Sequence, residues 1–158
     1  MRIGVGYDAH RLEAGQRLVL GGVTIPYEQG LLGHSDGDVL VHACIDALLG
    51  AAALGDIGAH FPSSDESLRG AASVRLLEQV GRLLSERGWR VVNLDATIAA
   101  ERPRLAPSIP EMRQNISRAV GVEQGQVSIK ASTTDGLGFE GQGQGISAYA
   151  VVLIDQRL

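Results

Sequence analysis

The run Gly145 to Asp155 is apolar along both of its alternating sides: Ile146, Ala148, Ala150, Val152 and Ile154 fall on one, and Tyr149, Val151 and Leu153 on the other. A strand sends successive side chains to opposite faces of its sheet. This one must therefore be covered twice, and one layer of helices covers only one face. A second cover, such as a partner subunit, is expected on the other. With 158 residues the chain is long enough to bury one sizeable core without disulfides, so one domain over residues 1–158 is expected.

The remaining segments supply the layers. Ile3, Val5 and Tyr7 alternate with Arg2, Gly4, Gly6 and Asp8, the period of a strand, and continuing the extension puts Asp8 and His10 on one face. Arg17 to Gly21 and Val23 to Tyr27 read as a hairpin turning at Gly21-Gly22 and closed by Pro26, followed by a loop from Glu28 to His34. Ser35 is the expected cap of a helix over 37–53, with Asp38 in the place of a capping-box acid. The spacing predicts a turn at Gly55 to Gly58, a helix from Ala71 to Arg87 ended by Gly88, a strand from Arg90 to Ala100 and a helix from Ile109 to Val120 ended by Gly121. Gln126 to Ala131 reads as a strand, joined to the last one by a loop carrying Gly136, Gly138, Gly141 and Gly143. No internal repeat or linker divides the chain.

Composition removes several function classes. A net charge of −4, with only 14 Lys and Arg spread thinly, argues against a nucleic-acid partner, whose phosphates need clustered cations. The longest apolar stretch, Val39 to Leu54, is interrupted by His42 and Asp46, and no signal-type run opens the chain, so neither membrane spanning nor secretion is expected. The single Cys44 lies within that apolar stretch and reads as a buried thiol in a cytoplasmic protein.

The densest group of metal-capable side chains is Asp8-Ala9-His10 together with the segment His34 to His42. An Asp-x-His pair on one strand face and a histidine near a helix start form a zinc-type set: two imidazole nitrogens and one carboxylate suit a borderline-soft ion and leave a fourth position open. That position is open to substrate or to water, and a water activated there would make a zinc phosphohydrolase. A metal held only for structure in a ligand-binding module is the third reading. His60 lacks such company and reads as an ordinary histidine. Asp36, Asp38 and Asp46 are candidates to orient a metal-bound imidazole, but capping alone accounts for Asp36 and Asp38, whereas Asp46, mid-helix among apolar residues, requires a donor.

Other signals are weaker. Lys130 to Asp135 leaves a strand with hydroxyls and free amides that suit phosphate, and the glycine loop that follows matches neither phosphate-binding fingerprint. No Gly-x-Ser-x-Gly or Cys-x-x-Cys is present, so a covalent nucleophile has no candidate.

Taken together, Asp8-x-His10, the loop His34 to His42, Leu54-Gly55-Asp56-Ile57-Gly58 with Phe61-Pro62, Ala100-Glu101-Arg102-Pro103-Arg104-Leu105, and Lys130 to Ile146 resemble the 2-C-methyl-D-erythritol 2,4-cyclodiphosphate synthase family over essentially the whole chain. The resemblance implies an α/β (α+β) single domain: a mixed four-stranded sheet with helices packed on one face, assembled as a homotrimer with active sites between subunits. It implies a cytoplasmic enzyme of the non-mevalonate isoprenoid route. In the reaction the 2-phosphate of a CDP-methylerythritol substrate attacks its own β-phosphorus and expels CMP.

Carried over residue by residue, it implies Asp8, His10 and His42 as zinc ligands and Asp135 as ligand of a second divalent ion, Mg2+ or Mn2+, where the family has a glutamate. His34 and Thr133 become the catalytic positioning groups, joined at the phosphates by Ser35 and neighboured by Ser132 and Thr134. Asp56, Ile57, Gly58 and Phe61 would line the methylerythritol pocket, with Asp56 reaching its hydroxyls. Backbone groups of Ala100, Glu101, Arg102, Pro103, Arg104, Leu105 and Ala106 would hold the cytidine diphosphate, with Phe139 and Gln142 also at the substrate. Arg104 stands where a lysine is usual. Gln142 and Gln144 replace an Arg and a Glu of the family's central cavity, which implies weak capture of prenyl diphosphates there.

Overall fold

The computed structural model describes residues 1–156; the expected domain end at 158 lies outside the described residues. The elements run β1 (Arg2–Ala14), β2 (Leu18–Leu20), β3 (Val23–Ile25), β4 (Gln29–Leu31), α1 (Val39–Ala51), α2 (Ile57–His60), α3 (Ser73–Glu86), β5 (Trp89–Ala99), α4 (Ile109–Val120), β6 (Val127–Ser132), α5 (Gly138–Gly141) and β7 (Gly145–Gln156), with short 3-10 turns between.

The main sheet has the order β4-β1-β7-β5-β6 and is mixed: β5 and β6 pair in parallel, and the other pairs are antiparallel. It has five strands where four were expected. The added strand is β4, inside the segment read as a loop, and it pairs with the far end of β1, which runs on to Ala14. Gly30 permits this pairing, since a Cβ there would stand 2.4 Å from the Arg17 carbonyl oxygen. β2 and β3 form a separate hairpin whose turn residues Gly21 and Gly22 both have positive φ, +58° and +71°, as a tight two-residue turn requires.

Helices α1, α3 and α4 lie in one layer. α1 packs on β1 and β7 and is buried nearly all round, as its unbroken apolar run requires. On its inner face β1 carries Gly4 and Gly6, where an added Cβ would fall 1.9 Å from the backbone oxygens of Ala47 and Ala43. Helix and strand backbones thus approach as closely as atoms allow. The central strand β7 turns Ile146, Ala148, Ala150, Val152 and Ile154 inward, all fully buried. None of α1, α3 and α4 covers the opposite face of the sheet, and Ile3, Val5, Tyr7, Tyr149 and Val151 remain exposed there.

The start of α1 differs from expectation. Its cap is Asp38, whose carboxylate accepts the Val41 N–H, and Ser35 does not cap it. Gly37 has a φ of +73°, so the chain reverses between Ser35 and the first helical residue. Asp38 is wholly buried and also accepts the N–H groups of Gly21 and Gly22, tying the hairpin to the helix start. Burial and the neighbouring Asp36 push its carboxyl up to about 6.

Candidate metal centre

The inner stripe of β1 continues past Gly4 and Gly6 to Asp8 and His10, so the register that seats α1 also aims these two side chains at it. His42, in the first turn of α1, meets them. Among the described residues, Asp8, His10 and His42 form the one group of three or more potential ligands whose donor atoms converge. The Asp8 Oδ2 lies 2.8 Å from His10 Nε2 and 3.0 Å from His42 Nδ1, and the two nitrogens are 3.2 Å apart. Zinc bonds of about 2.0–2.1 Å place tetrahedral ligand atoms about 3.3 Å apart, so this triangle needs to open by only a few tenths of an ångström.

The hydrogen-bond network assigns the ring protons. His10 Nδ1 donates to the Leu32 carbonyl at 2.7 Å, which leaves its Nε2 as a lone pair facing the Asp8 carboxylate. Acceptors do not face each other at such distances without a positive charge between them, so either a proton or a cation must sit among the three atoms. Burial by itself would lower the His10 imidazole, but the hydrogen bond and charge of Asp8 outweigh it and raise the group. Burial likewise would raise the Asp8 carboxyl, yet its bonds to His10 and His42 hold it at about 2. This donor set fits a zinc-type ion, with a proton on His10 as its competitor.

The triad opens on a cleft of about 320 Å³ that is also lined by His34, Ser35, Ile57, Gly58 and Phe61. Each of these was singled out in the sequence. His34 Nε2 donates to the Asp65 carbonyl at 3.0 Å, and the Asp46 carboxylate finds its expected donor in the Ile57 N–H at 2.7 Å. Asp46 thereby ties α1, which carries His42, to α2, which forms the cleft wall. Asp56 does not line the cleft; it caps α2 by accepting the Ala59 N–H.

A second cleft of about 350 Å³ is walled by the segment Ala100 to Ala106 with Ser132 and Thr133. Asp8, Ala148, Ile98 and Ala131 stand in one row across four neighbouring strands. Both clefts therefore lie at the same end of the sheet, with β1 and β6 about 14 Å apart at ordinary strand spacing. Thr134, Asp135, Phe139 and Gln142 line neither cleft. Asp135 is exposed in a left-handed turn with a φ of +53° and has no cluster of other potential ligands beside it among the described residues. A cleft of about 420 Å³ between α3, α4 and β5 holds none of the expected site residues. His60, set aside in the sequence, donates to the Leu54 carbonyl away from the triad.

One residue of the centre escaped sequence reasoning. Ser73, buried at the start of α3, has its hydroxyl 2.9 Å from His42 Nε2. Asp36 accepts the Ser73 N–H at 3.0 Å at the start of α3, a helix far along the chain, and also accepts the N–H of Asp38, the cap of α1, at 3.1 Å. Nothing local marks Ser73, since a serine near a helix start reads as an ordinary terminal residue.

Fold and site together define an α+β protein in which a strand and a buried helix present a candidate three-ligand metal centre to an open cleft. The chain belongs to the YgbB family, whose sequence pattern matches residues 1–155. It is 64% identical over 156 residues to a 2-C-methyl-D-erythritol 2,4-cyclodiphosphate synthase of Syntrophomonas wolfei, with 99% of each chain covered. A solved 2C-methyl-D-erythritol-2,4-cyclodiphosphate synthase in its CDP-bound form superposes with a TM-score of 0.89 at 40% identity, covering 98% of this chain and all of that one. The bifunctional IspDF of Campylobacter jejuni gives a TM-score of 0.94 at 37% identity; the match covers 98% of this chain and 42% of that longer one. Among the described residues no helix is long and apolar enough to cross a membrane.

Proposed function

We propose that this protein is a phosphorus–oxygen lyase that converts 4-diphosphocytidyl-2-C-methyl-D-erythritol 2-phosphate to 2-C-methyl-D-erythritol 2,4-cyclodiphosphate and CMP, one cytoplasmic step of isoprenoid precursor synthesis. The carrying observation is the convergence of Asp8, His10 and His42 beside a cleft lined by His34 and Ser35, in a chain 64% identical to a synthase of that name. One oxygen of the 2-phosphate forms a bond to the β-phosphorus; the bond from that phosphorus to the bridging oxygen breaks, and CMP leaves with the oxygen and the electron pair. No protein nucleophile is required, so the residues act by folding a flexible polyanion onto itself and holding it in line.

His34, Ser35 and Thr133 hold phosphate oxygens, with Ser132 and Thr134 beside them. Ile57, Gly58 and Phe61 pack the methylerythritol, and Asp56 takes its hydroxyls with the carboxylate oxygen left over from capping. The backbone of Ala100 to Ala106, Arg104 included, holds the cytidine diphosphate, with Phe139 and Gln142 nearby. A zinc ion held by Asp8, His10 and His42 would supply a positive charge that polarises a phosphate oxygen. A lone carboxylate such as Asp135 suits Mg2+ or Mn2+ shared with substrate phosphates.

We further propose one domain over residues 1–158 and a homotrimer, with active sites between adjacent subunits. The exposed apolar residues of β1 and β7 support this assembly, whereas toward β5 and β6 the sheet carries polar side chains, among them Lys130 paired with Asp95.

Phosphorus NMR of the synthetic CDP substrate tests the chemistry. Cyclic diphosphate and CMP in equal amounts are expected, lost on chelation and restored by zinc. Release of free inorganic phosphate would instead assign the centre to hydrolysis.

A further inference from the structure

Beyond the ligands themselves, we propose that Ser73 and Asp36 are positioning residues for His42: a carboxylate–hydroxyl–imidazole relay that keeps the His42 proton on Nε2 and leaves Nδ1 free for the ion. The inference rests on the metal-site reading above.

A serine hydroxyl has a single proton to give. Ser73 Oγ lies 2.5 Å from Asp36 Oδ1, the length of a charge-assisted O–H···O⁻ bond, so its proton points at Asp36. Toward His42, Ser73 is then left with lone pairs only, and at 2.9 Å the Nε2 must donate. Were the proton on Nδ1 instead, Nε2 and Ser73 Oγ would face each other as two acceptors. The His42 Nδ1 would also present a hydrogen to His10 Nε2 where the ion belongs. The relay thus fixes at the far side of the ring what the metal needs at the near side.

Asp36 is itself held firmly. Its Oδ2 accepts the Ser73 N–H at 3.0 Å, its Oδ1 accepts the Asp38 N–H at 3.1 Å, and its own N–H donates to the Ala71 carbonyl. Ser73 is fully buried and belongs to α3, so the orientation of a ligand on α1 is set by the docking of a different helix. An outer partner of this kind raises the basicity of a ligating imidazole and restricts its rotation.

Ser35 stands beside the relay and differs from Ser73 in one respect. Its Oγ is 3.1 Å from His42 Nε2 and 3.2 Å from Ser73 Oγ, but it is only half buried and lines the cleft. Ser35 can turn to a phosphate without leaving the imidazole unpaired, because Ser73 keeps the Nε2 proton. The two hydroxyls divide the work: one is committed to the ligand and the other is available to the substrate.

The test uses zinc competition against a chromophoric chelator, the visible spectrum of the Co2+-substituted protein, and 1H–15N NMR of the imidazoles. Ser73→Ala should weaken zinc binding by about tenfold or more, shift the cobalt bands and remove the slowly exchanging His42 Nε2 proton seen in the parent. Asp36→Asn should act in the same direction with a smaller effect. Ser35→Ala should raise KM for the CDP substrate and leave zinc affinity within about twofold, far below the loss expected for an outer partner of the ligand.

A folded Ser73→Ala variant with parental zinc affinity and cobalt spectrum overturns the relay. So does a parental His42 that carries its proton on Nδ1, a measurement that requires no variant to fold. A parent that binds no zinc overturns the metal site itself, an outcome separable from the first two.

Discussion

The two faces of β1 are built on opposite rules. Its outer face carries Ile3, Val5 and Tyr7, the apolar residues a strand ordinarily buries, and leaves them exposed. Its inner face carries Gly4, Gly6, Asp8 and His10, residues of little apolar value, and gives them the helix. The glycines explain the inversion: by having no Cβ they let the backbone of α1 come to contact, and the next two inward positions then reach His42. Close approach on one face brings together a candidate metal centre. Unmet apolar surface on the other yields a surface for a partner, since exposed apolar clusters of this kind mark interaction sites.

The sharpest way to break the inner face is Gly6→Ala. Its new Cβ would stand 1.9 Å from the Ala43 carbonyl oxygen, which is backbone and cannot swing aside. A loss of about 4 kcal/mol, beyond the usual cost of overpacking, is expected in urea unfolding. A variant melting within a few degrees of the parent would show that α1 is not held so closely.

The outer face is probed by Val5→Asp, 66% exposed in the single chain. Sedimentation should show loss of the proposed trimer, and activity should fall with it. The isolated subunit should keep its stability within about 0.5 kcal/mol, as for other exposed sites. A variant that sediments like the parent removes this face from the assembly.

The smallest effect separates the faces by pH. In the metal-free protein the raised His10 contributes stability fully below its ordinary value of 6.5 and loses it as pH rises through the raised value. Asp8, held at about 2, contributes fully above 3.8 and loses its share as pH falls toward its folded value. The melting temperature of the metal-free protein should therefore fall as pH rises above 6.5 through the raised value, and His10→Gln should abolish that fall. Zinc reverses the sign, because the ion needs the deprotonated ring and binds more tightly as pH rises. An identical pH profile for His10→Gln and the parent would leave His10 without this role.

Much of this was legible from the order of residues. Alternation located β1 and β7, glycines placed the hairpin turn and the end of α4, and the Asp8-x-His10 spacing put two ligands on one face. The segment Gln29–Leu31 was not legible as a strand, because its pairing depends on how far β1 extends and on Gly30 passing close to Arg17. The cap of α1 was misplaced to Ser35 because propensity favours serine and does not register the reversal at Gly37. Of the expected site residues, the structure gathers those around His34, Ile57 and Phe61 beside the triad and those of Ala100 to Ala106 in a second cleft. Phe139 and Gln142 line neither.

By itself the sequence determined what the longer elements are and which side chains share a face of each, because covalent periodicity alone sets direction within a strand or a helix. It supplied the ligand types on the same terms. Only the tertiary structure decided which face of β1 is inside, which groups each imidazole nitrogen faces, and that Ser73 on α3 would reach a histidine 31 positions earlier. These depend on distances between elements, and such distances are set by packing at the scale of a single Cβ, which no local pattern records.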